Sequence, residues 1–267
     1  MKNGIWIPIL LLAVSLLFNS CEKNSTDINN SQNIPTGTAT LKLYLTDAPA
    51  SEYDSVKITF SEVSAHLDSS WIILADTLMT VNLLELTNGN TVVIGSDDVP
   101  AGHYTQIRLK ITDAWVVVDG IRHPMDVPSG STSGLKFGPE FTLAEGVIYE
   151  MVVDFDVHRS IVTTGPPFNP KGYKLKPHIR ISPLAISGSI SGTITNPEHL
   201  PVAYAIQNDD TTTSSLPDSS SGYFKLSFLP AGEYTVSIRD TLDQSFEQSG
   251  VMVQAGANVD LDSLTLQ

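Results

Sequence analysis

From Thr38 onward, hydrophobic and polar residues alternate through most of this chain. In TATLKLYLT, Leu41, Leu43 and Leu45 fall on one side, and Thr40, Lys42, Tyr44 and Thr46 on the other. That is the pattern of a strand with one buried face. YTQIRLKIT repeats it, with Ile107, Leu109 and Ile111 inward against Gln106, Arg108 and Lys110, and IYEMVVDFDV and YKLKPHIRIS read as further strands. NGN, PAG, DG, PSGSTSG and TTGPPFNPKG mark turns between them. No stretch of a dozen residues carries a helical stripe, and VNLLEL is expected to make only a short helical turn.

Near Pro183 the composition shifts, and a second series opens with SGSISGTITN, followed by VAYAIQ, GYFKLSF, GEYTVSIRD, FEQSGVMVQ and NVDLDSLTL. Here Phe224, Leu226 and Phe228 are expected inward against Tyr223, Lys225 and Ser227, and Tyr234, Val236 and Ile238 against Thr235, Ser237 and Arg239. Short, regularly spaced strands with Gly and Pro turns indicate a small sandwich, so the expected fold is all-β, with two β-sandwich domains. One echo links the halves: VPAGHYTQIRLKI at Val99 and LPAGEYTVSIRDT at Leu229 share P-A-G-x-Y-T. The proline fixes one turn dihedral, the glycine supplies permissive backbone and the tyrosine opens a strand. The echo covers barely a dozen residues and does not support duplication of a whole domain.

The N-terminus follows a different grammar. Lys2 gives a positive start, Ile5 to Phe18 form an apolar stretch, and Ser20 precedes Cys21, the single cysteine. This is the order of a secretory signal, too short to span a bilayer core and interrupted by Pro8. With cleavage between Ser20 and Cys21 it resembles a bacterial lipobox, which implies a covalent lipid on the Cys21 sulfur and attachment to a membrane through that N-terminal anchor. Residues 1–20 are thus read as a lipoprotein signal peptide. Residues 21–37, CEKNSTDINNSQNIPTG, are polar and without apolar periodicity, and read as a flexible tether. A net charge of −14 argues against nucleic acid as a partner.

Two family resemblances rest on ordered motifs. LYLTDAPA, YDSVKITFSEV, VNLLEL, VPAGHYTQIRL, VPSGSTSGLKF, VVDFDVHRSIV and YKLKPHIRI make residues 38–184 similar to the bacterial domain of unknown function 4382, typical of envelope lipoproteins. ISGTITN followed by SGYFKLSFLPAGEYTVSI makes residues 187–267 resemble a carboxypeptidase-regulatory-like, or transthyretin-like, domain. That resemblance implies an Ig-like sandwich of about seven strands that serves as a spacer or interaction module, without peptidase activity.

Candidate chemistry is sparse. His66, His103, His123, His158, His178 and His199 are isolated in sequence, and H-E-x-x-H, G-x-S-x-G and phosphate-cradling glycine patterns are absent from it. No catalytic residue is assigned. Asp47 at the end of the first strand, with Asp154 and Asp156 on one face of VDFDV, would supply hard oxygen ligands for calcium. Alternatively, Asp47 caps a turn and the other two pair with Arg159 or Lys174, which is the favoured reading. Trp71, Trp115 and Tyr173 would stack on a sugar or a partner, Trp71 and Tyr173 being retained as binding candidates, although WVVV reads Trp115 as core and Trp71 is read in the same way. Asp-Ser or Asp-Thr pairs before an apolar residue, at Asp54, Asp76, Asp240 and Asp262, resemble O-glycan acceptor motifs of Bacteroidetes-type envelope proteins.

The expected function is therefore a lipid-anchored outer-membrane protein of a Gram-negative bacterium, facing the periplasm or the cell surface. It would have a non-catalytic binding or spacer role toward a protein or glycan partner and no cofactor. The alternative is a calcium-dependent carbohydrate-binding protein or hydrolase using Asp47, Asp154 and Asp156.

Overall fold

Alternating apolar residues need a second layer to cover them, and this chain supplies facing sheets twice. The computed structural model describes residues 37–48, 52–127, 133–166 and 171–267. The expected leader, Cys21 and all of the expected tether except Gly37 lie outside them.

The first series comprises β1 (Thr38–Ala48), β2 (Ser55–Leu67), β3 (Ser70–Ala75), β4 (Met79–Asn82), β5 (Val92–Pro100), β6 (Gly102–Val118), β7 (Ile121–Asp126), β8 (Leu135–Phe137), β9 (Phe141–Leu143), β10 (Ile148–Asp156), β11 (Ile161–Thr164), β12 (Gly172–Leu175) and β13 (Ile179–Pro183). A four-stranded sheet, ordered β13-β10-β1-β5, faces a larger sheet built around the long β6–β2 pair. Leu41, Leu43, Leu45, Ile107, Leu109 and Ile111 are all fully buried between them, on the face the alternation assigned.

The second series comprises β14 (Ser187–Ile194), β15 (Val202–Gln207), β16 (Asp210–Ser215), β17 (Tyr223–Pro230), β18 (Gly232–Arg239), β19 (Ser245–Val253) and β20 (Asn258–Leu264). Its seven strands form sheets ordered β17-β14-β20 and β16-β15-β18-β19, which enclose a separate core around Ile190, Phe224, Leu226, Tyr234, Val236 and Ile238. The fold is all-β. VNLLEL makes a single 3-10 turn, Leu83–Glu85, and the α-helical turn α1 (Val157–Ser160) has four residues.

Three expectations are corrected. YKLKPHIRIS is not one strand. The chain breaks between Leu175 and Ile179, sending β12 to the larger sheet beside β7 and β13 to the four-stranded sheet beside β10. Pro177 explains the break, because it has no N–H for a ladder and restricts the residue before it. Phe228 does not continue the inward alternation: it adopts φ +55°, the register slips there, and Leu229 takes the fully buried place. A bulge of this kind re-aims one peptide group. Trp115 is not core either. Ala114 and Val116 are buried on either side of it, while the Trp115 ring lies at the surface under the Arg122 guanidinium, 4.1 Å from its centroid.

The P-A-G-x-Y-T echo does the same work in both sandwiches. Pro100 closes β5 in one sheet and Gly102 opens β6 in the facing sheet; Pro230 and Gly232 do so between β17 and β18. Gly102 and Gly232 have φ of +155° and +156°, which side-chain-bearing residues rarely adopt. Two residues on, the buried Tyr104 hydroxyl donates to the Pro100 carbonyl at 2.7 Å, and the Tyr234 hydroxyl to the Pro230 carbonyl at 2.9 Å. Each bond ties a strand start to the turn that preceded it, the device known in sandwiches as a tyrosine corner. Burial pushes the Tyr104 phenol up to about 12 and raises that of Tyr234. Tyr104→Phe and Tyr234→Phe should each cost about 1 kcal/mol. The two losses are expected to add in thermal melts, since the tyrosines belong to separate cores.

Candidate functional site: the seam between the sandwiches

The sequence-predicted carboxylates come together where the two sandwiches meet. β1 and β10 run parallel with Thr46 opposite Asp154, so the ends of both strands arrive at the same edge. Asp154 is 5% exposed, and its Oδ2 accepts from Arg180 Nη2 at 2.6 Å, Arg180 Nε at 3.2 Å and Thr213 Oγ1 at 3.2 Å. Arg180 stands beside it on β13, and Thr213 belongs to the second sandwich. The same guanidinium crosses the seam: Nη1 donates to the Phe228 carbonyl at 2.5 Å and Nη2 to the Ser227 carbonyl at 3.4 Å. The bulge at Phe228 thus presents carbonyls to an arginine of the other sandwich. One buried ion pair holds elements of three sheets.

A turn makes the second attachment. Asn88 and Gly89 adopt φ +56° and +85°, the left-handed backbone that an Asn-Gly pair tolerates. Thr46 Oγ1 braces the turn through the Leu86 and Asn90 carbonyls, each at 2.9 Å. Asn88 Oδ1 accepts from Ser215 Oγ at 2.5 Å and the Lys225 amide at 3.2 Å, and its Nδ2 donates to the Leu216 carbonyl at 3.4 Å. Ser215 and Lys225 lie on β16 and β17, edge strands of different sheets. One amide therefore bridges the open side of the second sandwich. Gly89 is needed for space as well as for φ, because a Cβ there would lie 2.8 Å from Ser227 Oγ.

The remaining predicted residues have local roles. Asp47 is buried and its Oδ1 accepts from the Val157 amide at 3.1 Å, capping the turn that follows β10. Asp156 is the N-cap of α1, accepting from the Arg159 amide at 2.9 Å, with Arg159 Nε 3.9 Å from its other oxygen. Burial, the largest influence, raises the Asp156 pKa, and the neighbouring Asp154 charge adds to the shift. Asp156 does pair with Arg159, whereas Asp154 takes Arg180, and Lys174 turns to Asp126 at 3.8 Å. Among the described residues, no group of three or more His, Cys, Asp or Glu is placed to hold a metal ion.

The two aromatics named as binding candidates each have ring or cation neighbours of their own. Tyr173 is 8% exposed and packed between Tyr53 and His123, with ring centroids at 6.5 and 5.3 Å. Trp71 is half-buried, with Arg108 4.1 Å from its centroid, Lys136 at 5.5 Å and His66 at 4.9 Å. Sequence reasoning missed Arg180, Asn88 and Thr213. NGN was legible as a turn, but nothing local shows that its asparagine reaches a strand more than a hundred residues away.

The seam and the two cores define a class, an all-β double sandwich joined through a buried ion pair. The chain belongs to the family described as domain of unknown function DUF4382, whose pattern matches residues 38–177. No curated protein matches it. Among solved structures it is similar to the TIE protein of Bacillus anthracis, at 11% identity and TM-score 0.23 over 86% of this chain and 34% of the other, so it spans about a third of that protein's length. A putative cell adhesion protein from Bacteroides fragilis matches at 11% identity and TM-score 0.23, covering 86% of this chain and 93% of that one. The fimbrial anchor protein Mfa2 from Porphyromonas gingivalis matches at 13% and 0.19, covering 79% and 82%.

Arg180→Met leaves Asp154 buried without its cation and should cost about 2–4 kcal/mol, discounted from a fully buried pair because the arginine is partly exposed. Adding Asp154→Asn should recover part of that loss in urea melts. Asp156→Asn keeps a good N-cap and tests the raised pKa. The penalty for a charged Asp156 is present at neutral pH and disappears as pH falls below the ordinary value of 3.8. The variant should therefore melt higher than the parent at neutral pH, with the difference closing in acid.

Proposed function

We propose that this chain is a lipid-anchored, non-catalytic cell-envelope protein that holds a double sandwich away from a membrane and presents it to a protein or glycan partner. The observation that carries the reading is the seam. Arg180 and Asn88 bind the second sandwich to the first through hydrogen bonds to two of its strands, β16 and β17, or the residue that follows, so a load or a position imposed on one sandwich is passed to the other. A spacer needs that property, and a catalyst does not. Among the described residues no helix is long and apolar enough to cross a membrane, and the Cys21 sulfur is the proposed means of attachment, with the tether of residues 21–37 as the reach. The proposed setting is the outer membrane of a Gram-negative bacterium, facing the periplasm or the outside. The second sandwich is proposed to be a carboxypeptidase-regulatory-like module, on the strength of ISGTITN, SGYFKLSFLPAGEYTVSI and its seven strands.

Mass spectrometry of the native protein should find residue 21 as the first residue and diacylglyceryl-modified. Cys21→Ser should move the protein from the membrane fraction to the soluble one. An unmodified thiol, or a serine variant that stays with the membrane, would overturn the anchor. Thermal melting in a calcium titration separates this reading from a calcium-dependent one, since a ligand of the folded form raises Tm; no shift is expected.

A further inference from the structure

The seam contains a small chamber that the ion pair and the Asn88 clamp do not account for. Its walls come from both sandwiches and include Thr46, Asn88 and Asp154 on one side and Thr213, Lys225 and Ser227 on the other, around a cavity of about 10 Å³. That is the space one water molecule requires. Two buried polar atoms belong to these walls without a hydrogen-bond partner among the described residues: Asp154 Oδ1 and Ser227 Oγ. Asp154 is more than nine-tenths buried, and its Oδ2 is already committed to Arg180 and Thr213. A carboxylate oxygen withdrawn from water in this way is costly to leave unmatched.

We propose that the chamber is a binding site for one ordered water, which donates to Asp154 Oδ1 and accepts from Ser227 Oγ–H, and so forms a further polar link between the sandwiches beside those of Arg180, Asn88 and Thr213. The chemistry of the walls favours water over a cation. Two carboxylates, Asp47 and Asp154, line the chamber, but Arg180 already neutralises Asp154 and Lys225 stands in the same walls, so a further positive charge would meet two cations. Calcium asks for six or more oxygen ligands. Water satisfies an acceptor and a donor together, and Thr46 Oγ1, which donates to Leu86 and Asn90, retains the capacity to accept its second hydrogen.

The sign of one substitution separates this link from a dry chamber. If the water is present, Ser227→Ala breaks a bridged pair, and the mature full-length chain should lose about 2–4 °C in Tm. If it is absent, the same change deletes an unmatched buried hydroxyl, and Tm stays or rises, which would overturn the proposal. Independently, a high-resolution crystal structure of the wild-type chain grown with rubidium and calcium salts should show one peak about 2.7–3.0 Å from both Asp154 Oδ1 and Ser227 Oγ, without anomalous signal. An anomalous peak, oxygen contacts near about 2.4 Å, or no peak at all would also overturn it.

Discussion

The junction is organised around the cost of burying Asp154. A carboxylate that is 5% exposed cannot remain charged without a partner, and the cross-strand neighbour on β13 is Arg180. Pairing satisfies the charge but not the guanidinium, whose remaining donors need acceptors in the same half-buried place. The acceptors are Ser182 Oγ on its own strand and main-chain carbonyls of β17, at the bulge where Phe228 has φ +55°. The ion pair, the bulge and one attachment of the second sandwich thus meet around one desolvated charge, and the Asn88 turn supplies the other attachment.

Within each sandwich a different constraint operates. A chain that leaves one sheet for the facing one must turn sharply and still bury its next apolar residues. Glycine at φ near +155° makes the turn, and the tyrosine two residues later fills the core while its hydroxyl returns to the proline carbonyl. The same P-A-G-x-Y-T solves the problem at Pro100 and Pro230, and the strands around the two turns pair in the same order: β10-β1-β5 and β7-β6-β2-β3 in the first sandwich, β20-β14-β17 and β19-β18-β15-β16 in the second.

The candidate site was partly legible. Asp47, Asp154 and Asp156 stand out in the sequence as oxygen-rich, and all three lie at the seam or cap the turn beside it; but the partners of Asp47 and Asp154 are distant in sequence, and each carboxylate has a local or cross-strand role. Strict alternation from Ile107, Leu109 and Ile111 would carry Trp115 inward, but the register with β2 shifts at Thr112, so the phase flips, Ala114 and Val116 turn inward and the larger ring lies outward under Arg122. Pro177 was available in the sequence as the reason to divide YKLKPHIRIS, and it overrides the alternation on both sides of it.

The sequence by itself determined the all-β class, the inward faces of β1, β6 and β18, and the two tyrosine-bearing turns, because period-two burial, proline and glycine act over a few residues and need no knowledge of what lies opposite. Only the tertiary structure decided which strands became neighbours, which cation answered Asp154 and where the Asn88 amide went. Those outcomes depend on pairings across separations such as the 127 residues between Asn88 and Ser215. Burial creates the demand for a partner, and only the assembled sheets show which group is close enough to meet it.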